Sequence, residues 1–402
     1  MQTLTIQALA GLASIKQEQW DHLANPGWTM GPNGRFEADK GCAQAYNPFV
    51  THEFLKALED AGCVGGRTGW APRHLVIRNQ EGVPIAAAPA YLKSHSQGEY
   101  VFDYGWADAY ERAGGRYYPK LQVSVPFTPA QGPRLLTGGA ADPQVRTLAA
   151  NALVSMAEEL NASSVHVTFT EDDDFGALTG AGYLARHDTQ FHFENRGYAS
   201  PDDFLAALAS RKRKQIKRER RDALANGITV KWLVGDDLKE AHWDAFYGFY
   251  MDTGARKWGR PYLNRKFFSL LGERMGHSVC LMLAERNGRT IAGTLSMIGS
   301  ETLFGRYWGC VEDHPFLHFE LCYYQAIDFA IAHGLKRVEA GAQGDHKLAR
   351  GYEARETRSA HFLRHAGLRA AVEDYLERER RAVKHQNEVL NTYAPFKKAG
   401  PQ

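Results

Sequence analysis

The run Glu339-Ala340-Gly341-Ala342-Gln343-Gly344-Asp345-His346-Lys347 packs a carboxylate, an amide, a histidine and a lysine around two glycines. It leaves the end of a strand read from Arg337 to Ala340, the place where open α/β sheets put their ligands. Glycines there let backbone N–H groups approach an oxyanion or a phosphate, while Lys347 and His346 counter its charge and Gln343 positions donor or acceptor. The competing reading is a polar turn whose glycines serve only a positive φ. Upstream, His318 and Glu320 open an amphipathic helix read from Phe316 to His333. A carboxylate in a first helical turn is stabilised by the macrodipole alone. It also suits a general base, because an ammonium must lose a proton before it attacks a carbonyl, and a partly buried Glu can be tuned toward neutral pH. Glu320 and Glu339 both remain open for that role, with His318 beside them.

Between Arg211 and Arg221 there are eight Lys or Arg and one Glu in eleven residues. Arg211, Arg213, Lys214, Lys217, Arg218 and Arg221 form an anion-binding set, unless the face simply pairs with Glu373, Asp374, Glu377 and Glu379 of a C-terminal helix. The segment Asp103 to Tyr110, with Lys120 after it, reads as an acceptor groove in which Asp103 or Asp108 orients an amine and Trp106 stacks on it, against a core-packing alternative. His361 and His365 are four apart, but no glutamate follows the first and no third ligand is evident, so no metal is assigned. Cys42, Cys63, Cys280, Cys310 and Cys322 contain no C-x-x-C and read as reduced thiols, Cys322 included.

The elements that must hold these residues follow from alternation and turn signals. Strands are read at Arg73 to Arg78, Val83 to Tyr91, Tyr100 to Tyr104 and Leu121 to Val125, then a helix Pro143 to Leu160 capped by Asp142, then a strand Ser164 to Phe169. The stretch His74 to Ala87 aligns without a gap on Cys280 to Gly293, each reading strand, glycine turn, strand, so the chain holds two copies of one α/β unit. The boundary is placed near Tyr198, giving units 1–197 and 198–402. The second includes the basic helix 203–225 and a C-terminal helical appendage 372–390.

At 402 residues with 48 basic and 46 acidic side chains, the chain is long enough for two cores and carries no global charge that would draw it to a polyanion. The first ten residues lack a secretory pattern and no stretch is long and apolar enough to span a bilayer, so the cytoplasm is the expected compartment.

At Phe102-Asp103-Tyr104-Gly105-Trp106-Ala107-Asp108-Ala109-Tyr110, Tyr117-Tyr118-Pro119-Lys120-Leu121, Val125-Pro126-Phe127-Thr128-Pro129, His318-Phe319-Glu320 and Glu339 to Lys347, the sequence resembles the predicted N-acyltransferases termed peptidoglycan biosynthesis/recognition proteins, a Fem-like branch of the GNAT superfamily. The resemblance implies two tandem GNAT-like α/β units, each a mixed α+β sheet, and transfer of an acyl or aminoacyl group to an amine. Acyl-coenzyme A or aminoacyl-tRNA would be a co-substrate rather than a tightly bound cofactor. The acceptor would be a small-molecule or nucleotide-linked amine such as a cell-wall precursor. Arg134 to Ala140, with Gly138 and Gly139 ahead of the Pro143 helix, resembles the GNAT pyrophosphate loop with its spacing off by one, whereas Val311-Glu312-Asp313-His314-Pro315 in copy two has no glycine and two acids. By the same analogy the basic helix would hold phosphates, of an aminoacyl-tRNA donor or of an anionic nucleotide-linked acceptor. A non-catalytic module that binds an anionic precursor or nucleic acid is the alternative from another class.

Overall fold

The computed structural model describes residues 4–31, 35–42, 44–139, 143–257, 261–342 and 344–397. Asp142 and Gln343, assigned as a helix cap and a positioning amide, lie outside them. The chain divides into two units, residues 1–188 with 357–383 and residues 189–356 with 384–402. It changes unit inside the strands Leu184–Glu194 and Glu353–Leu363 and inside the helix Ala366–Thr392, which differs from a single boundary at Tyr198. Turn residues do not mark these changes because regular structure runs through them. Ser200-Pro201 instead starts a helix, Pro201–Ala207, with Ser200 Oγ accepting from the Asp203 N–H.

In the first unit the strands Trp70–Pro72, Ala90–Lys93, Lys120–Val123 and Ser164–Thr170 lie side by side, followed by residues 358–363. Lys120–Val123 and Ser164–Thr170 run parallel, joined by the helix Pro143–Glu159. Leu121, Val123, Val165, Val167 and Ala360 pack on Ala149, Leu153 and Met156 of that helix. Strand alternation turns Tyr91, Lys93, Lys120, Gln122, His166 and His361 to the opposite face, and these too are buried. The hairpin His74–Arg78 and Pro84–Ala88 pairs with Thr5–Leu9 in a separate three-stranded sheet. Pro89 divides the long strand expected from Val83 to Tyr91, since proline cannot donate to a ladder. Tyr100 to Tyr104 is not a strand: a helix, Tyr104–Arg112, starts there.

The second unit orders Thr229–Leu233, Val279–Arg286, Arg289–Ile298, Thr302–Cys310, Arg337–Glu339 and then residues 192–194. Asn287 and Gly288, both at positive φ, make the tight hairpin turn between its second and third strands. Thr302–Cys310 and Arg337–Glu339 are parallel, but only Thr302 to Phe304 are paired with Arg337 to Glu339, so the ladder ends there. A bulge opposite Leu295 and Ser296 leaves Arg306 out of register. The connecting helix runs as Leu317–Phe319, a π-helical turn Glu320–Tyr324 and Gln325–Ala332. Such turns are uncommon and recur at functional sites. Tyr324, Ile327 and Phe329 bury its inner face against Phe191, Phe193 and Tyr352.

Among the described residues no helix is long and apolar enough to cross a membrane, and all the cysteines are free.

Candidate functional site

The loop after Glu339 opens where the parallel ladder ends. Ala340 N–H donates to the Phe191 carbonyl and Phe191 N–H to the Gly341 carbonyl, so the backbone stays tied to its neighbour for two more residues. Gly341 then turns at φ 76° and Gly344 at φ 100°. Lys347 does not face a ligand as the sequence suggested. It is 4% exposed, and its ammonium donates to the carbonyls of Ala340 (2.6 Å) and Gly341 (3.1 Å), which fixes the loop from beneath. Burial pulls its pKa down to about 8. With those carbonyls drawn to Lys347, the N–H groups of Gly341, Ala342 and Gly344 make no hydrogen bond among the described residues. His346 is exposed, and its Nε2 lies 3.0 Å from the Tyr323 hydroxyl.

Glu320 is fully buried. Its carboxylate accepts from Arg220 Nη2 and Nε at 3.0 and 3.2 Å and from Gln325 Nε2 at 2.8 Å. Burial pushes its pKa up and Arg220 pulls it back, with the first effect larger. With both oxygens taken, Glu320 is a strut for the helix Ser210–Ala223 rather than a group within reach of a substrate. Glu339 is 5% exposed and ends the strand beside the opening. His318, half-buried, packs edge-on against Trp308 at 5.2 Å and Tyr323 at 5.5 Å.

The basic helix, Ser210–Ala223, has a clear inner face. Ile216, Glu219 and Ala223 are buried, Glu219 accepts from Arg350 at 2.9 Å, and Arg220 reaches Glu320 and Asp328. Outward, Lys217 lies 3.8 Å from Asp202 and Arg221 pairs with Asp222. Arg211, Lys212, Arg213, Lys214 and Arg218 have no carboxylate partner among the described residues. The acids Asp374, Glu377 and Glu379 of the C-terminal helix pair with Arg378, Arg381 and Arg186 instead. Cations crowded at helical spacing without counterions repel one another.

In the first unit, the residues expected to line an acceptor groove are interior. Lys120 is fully buried and donates to Asp103, to Glu99 (2.7 Å) and to Ser96 (2.8 Å). Asp103 also accepts from the Tyr117 hydroxyl at 2.7 Å. Burial acts to raise its pKa, but Lys120 and His166 outweigh this and hold it low. Trp106, 8% exposed, packs on His166 and His361, with the Arg186 guanidinium 5.0 Å from its ring. Lys93, buried over the Trp70 ring at 3.5 Å, has its pKa lowered to about 7 by burial. His166 and His361, opposite each other in the ladder, share a 2.7 Å Nδ1–Nδ1 hydrogen bond. Lys93, Glu99 and the His166–His361 pair were missed in the sequence, whose alternation marks a polar face but not a buried one.

His361 therefore lies on a strand, and His365 accepts from the Leu368 N–H at the start of the next helix. No group of three or more potential metal ligands occurs among the described residues. The turn resembling a pyrophosphate loop is occupied by protein: Gly138 and Gly139 pack against His22, Leu23 and Pro26, and Arg134 is 1% exposed with its guanidinium on the carbonyls of Thr168, Ala130 and Pro133. In the second unit Glu312 accepts from Arg286 at 2.7 Å and lies 3.0 Å from His314 Nε2, which leaves no glycine cradle there.

A family model described as peptidoglycan biosynthesis/recognition, FemAB-like, matches residues 11–398. No curated protein matches the sequence. Among solved structures, FemX aligns at TM-score 0.52 and 13% identity over 89% of this chain and 98% of its own. L-PGS from Bacillus licheniformis aligns at TM-score 0.49 and 9% identity over 88% and 99%. A tandem GNAT protein from the clavulanic acid biosynthesis pathway aligns at 0.42 and 12% over 90% and 98%. The likeness to FemX is one of fold, and the chain holds it as two units of mixed α/β structure.

Proposed function

We propose that this chain, which belongs to the FemAB-like peptidoglycan biosynthesis/recognition family, transfers an aminoacyl or acyl group to a primary amine at the end of the parallel ladder in its second unit. The observation that carries the reading is the turn after Glu339, where the N–H groups of Gly341, Ala342 and Gly344 make no hydrogen bond among the described residues and are available to a tetrahedral oxyanion. Preorganised N–H donors of that kind are worth roughly 3–4 kcal/mol to an acyl-transfer transition state. Glu339 orients the amine, and His318 with Trp308 and Tyr323 forms the apolar wall.

Aminoacyl-tRNA is the donor that fits best. The helix Ser210–Ala223 holds uncompensated cations, while both turns that could take a coenzyme A pyrophosphate are filled or acidic. Arg211, Arg213, Lys214, Lys217, Arg218 and Arg221 would bind phosphates of the acceptor stem, and the amine would come from a nucleotide-linked cell-wall precursor. Asp103, Trp106 and Lys120 keep the first unit's polar face in shape, with no direct contact to the acceptor.

The test is transfer from aminoacyl-tRNA, set beside acyl-coenzyme A, to a nucleotide-linked muropeptide, read by mass spectrometry. A mass gain with the tRNA donor alone is expected. Gain only with the coenzyme A species would refute the donor assignment, and binding of the muropeptide without turnover would leave a recognition module.

A further inference from the structure

We propose that His346 is the general base of the transfer and that Tyr323 is the positioning residue that aims it. The proposal rests on the acyl-transfer reading and adds to it the group that moves the proton.

His346 is an exposed side chain held like a buried one. The Tyr323 hydroxyl bonds its Nε2 at 3.0 Å. Phe319 lies against its ring with centroids 5.4 Å apart and planes at 33°. Its own carbonyl accepts from Arg350 Nη1 at 2.7 Å, and Arg350 is in turn bound to Glu219 at 2.9 Å. Beneath the ring is Gly344, where a β-carbon would stand 2.7 Å from Nδ1, a separation that real contacts do not show. Gly344 is thus glycine for two reasons, its φ of 100° and the space the imidazole occupies. An ordinary surface histidine samples several rotamers, whereas this one is confined at ring, edge and backbone, as catalytic groups must be.

Neutral imidazole has one N–H. The base role places that N–H on Nε2, donated to the Tyr323 oxygen, so that Nδ1 is the acceptor; the ring stands over Gly344, whose N–H makes no hydrogen bond among the described residues. Of the other acid-base candidates of this unit, Glu320 has its oxygens committed to Arg220 and Gln325, and Glu339 ends a strand at 5% exposure. The charged groups acting on His346 are the cations Arg350 and Lys347 and the acid Asp345; burial first and those cations second lower the imidazole pKa and favour its neutral form.

The step balances without any further reagent. The amine nitrogen attacks the donor carbonyl carbon, forming the C–N bond, and the carbonyl π pair moves to oxygen. His346 Nδ1 takes a proton from the attached nitrogen. The oxyanion pair then re-forms the carbonyl, the bond from carbon to the donor's leaving oxygen breaks, and that oxygen takes the proton from the imidazolium.

The test uses the full chain and the variants His346→Ala, His346→Gln and Tyr323→Phe. His346→Ala is expected to lower kcat by at least ~10²-fold, to abolish the acid limb of the kcat/KM profile and to regain turnover with added imidazole. Tyr323→Phe is expected to lower kcat with KM unchanged and to move that limb. Retained kcat in His346→Ala overturns the proposal. If the wild-type chain transfers no group to any amine, the functional reading fails first, and long-range ¹⁵N–¹H correlation spectra still judge His346. A bare Nδ1 with a pKa below 6.5 that changes in Tyr323→Phe agrees with the assignment; a proton on Nδ1 at neutral pH overturns it.

Discussion

Replacing His361 by Gln should flatten the acid sensitivity of the first unit by an amount that follows from the burial of one imidazole pair. His166 and His361 are each 1% exposed, they share a hydrogen bond, and Lys120 and Arg186 are nearby. Burial, helped by those cations, drops His166 to about 3 and His361 well below 6.5. For a histidine whose folded-state pKa is depressed, the unfolded chain binds the proton first. Stability is therefore full above the unfolded pKa of 6.5 and falls as the pH drops below it. At about 1.4 kcal/mol per pH unit, each imidazole that stays neutral at pH ~5 costs roughly 2 kcal/mol relative to pH ~7. Asp21 and Glu171, raised to about 6 and about 7 by burial, act in the opposite direction over the same interval, since acidification restores their contribution. The difference between wild type and His361→Gln removes their effect. Gln keeps a partner for His166 Nδ1 but cannot titrate. Urea unfolding at pH ~7, ~6 and ~5, followed by hydrogen exchange in the strand Ser164–Thr170 with correction for intrinsic rates, should show wild type losing about 2 kcal/mol more than the variant. Parallel curves would refute the reasoning, because they would mean that His361 accepts a proton inside the fold near its ordinary pKa.

Further expectations can be measured independently. Reversing Arg213 and Arg218 to Glu should weaken binding of a polyanion probe such as bulk tRNA and reduce the slope of log affinity against log salt, measured by filter binding; an unchanged slope would remove this helix from the interface. Gly344→Ala should lower turnover with little loss of fold, because the new methyl occupies the seat of the His346 ring and φ 100° strains any L side chain; wild-type kcat would contradict it. Glu219→Ala strands the buried Arg350 guanidinium and should cost about 3–5 kcal/mol in chemical denaturation. Lys347→Met should leave the Ala340 and Gly341 carbonyls without their donor, costing roughly 1–3 kcal/mol and lowering kcat.

Much of this architecture can be read from local pattern. The helix opened at Pro143, the strand from Ser164 and the strand-turn-strand of both copies follow from period and glycines, whereas the basic helix read as 203–225 is split, Pro201–Ala207 ending before Ser210–Ala223 begins. Tyr100 to Tyr104 misled because aromatic residues favour strands, while tertiary packing of Trp106 and Ala107 on Leu184 and Leu363 pulls the segment into a helix. The loop from Glu339 to Lys347 stands out in the sequence by its composition. The roles within it do not, since they depend on distant partners: Glu320 is disarmed by Arg220 a hundred residues earlier, and Lys347 turns inward to carbonyls of its own loop. Tyr323 lies in the π-helical turn, and its hydroxyl contact with His346, 23 residues on, is a tertiary one that local pattern does not report.

That basic helix also has a second life on its inner side. Glu219 grips Arg350, whose other nitrogen holds the His346 carbonyl, and Arg220 grips the π turn through Glu320. Whatever ion settles on the outer cations thus leans on the same rigid rod that braces the proton acceptor. Equilibrium linkage makes such a coupling reciprocal. If a docked phosphate chain sharpens the seat of His346, an acceptor settled against His346 must tighten the phosphate chain by the same factor, and loading order becomes a matter of rate rather than of affinity.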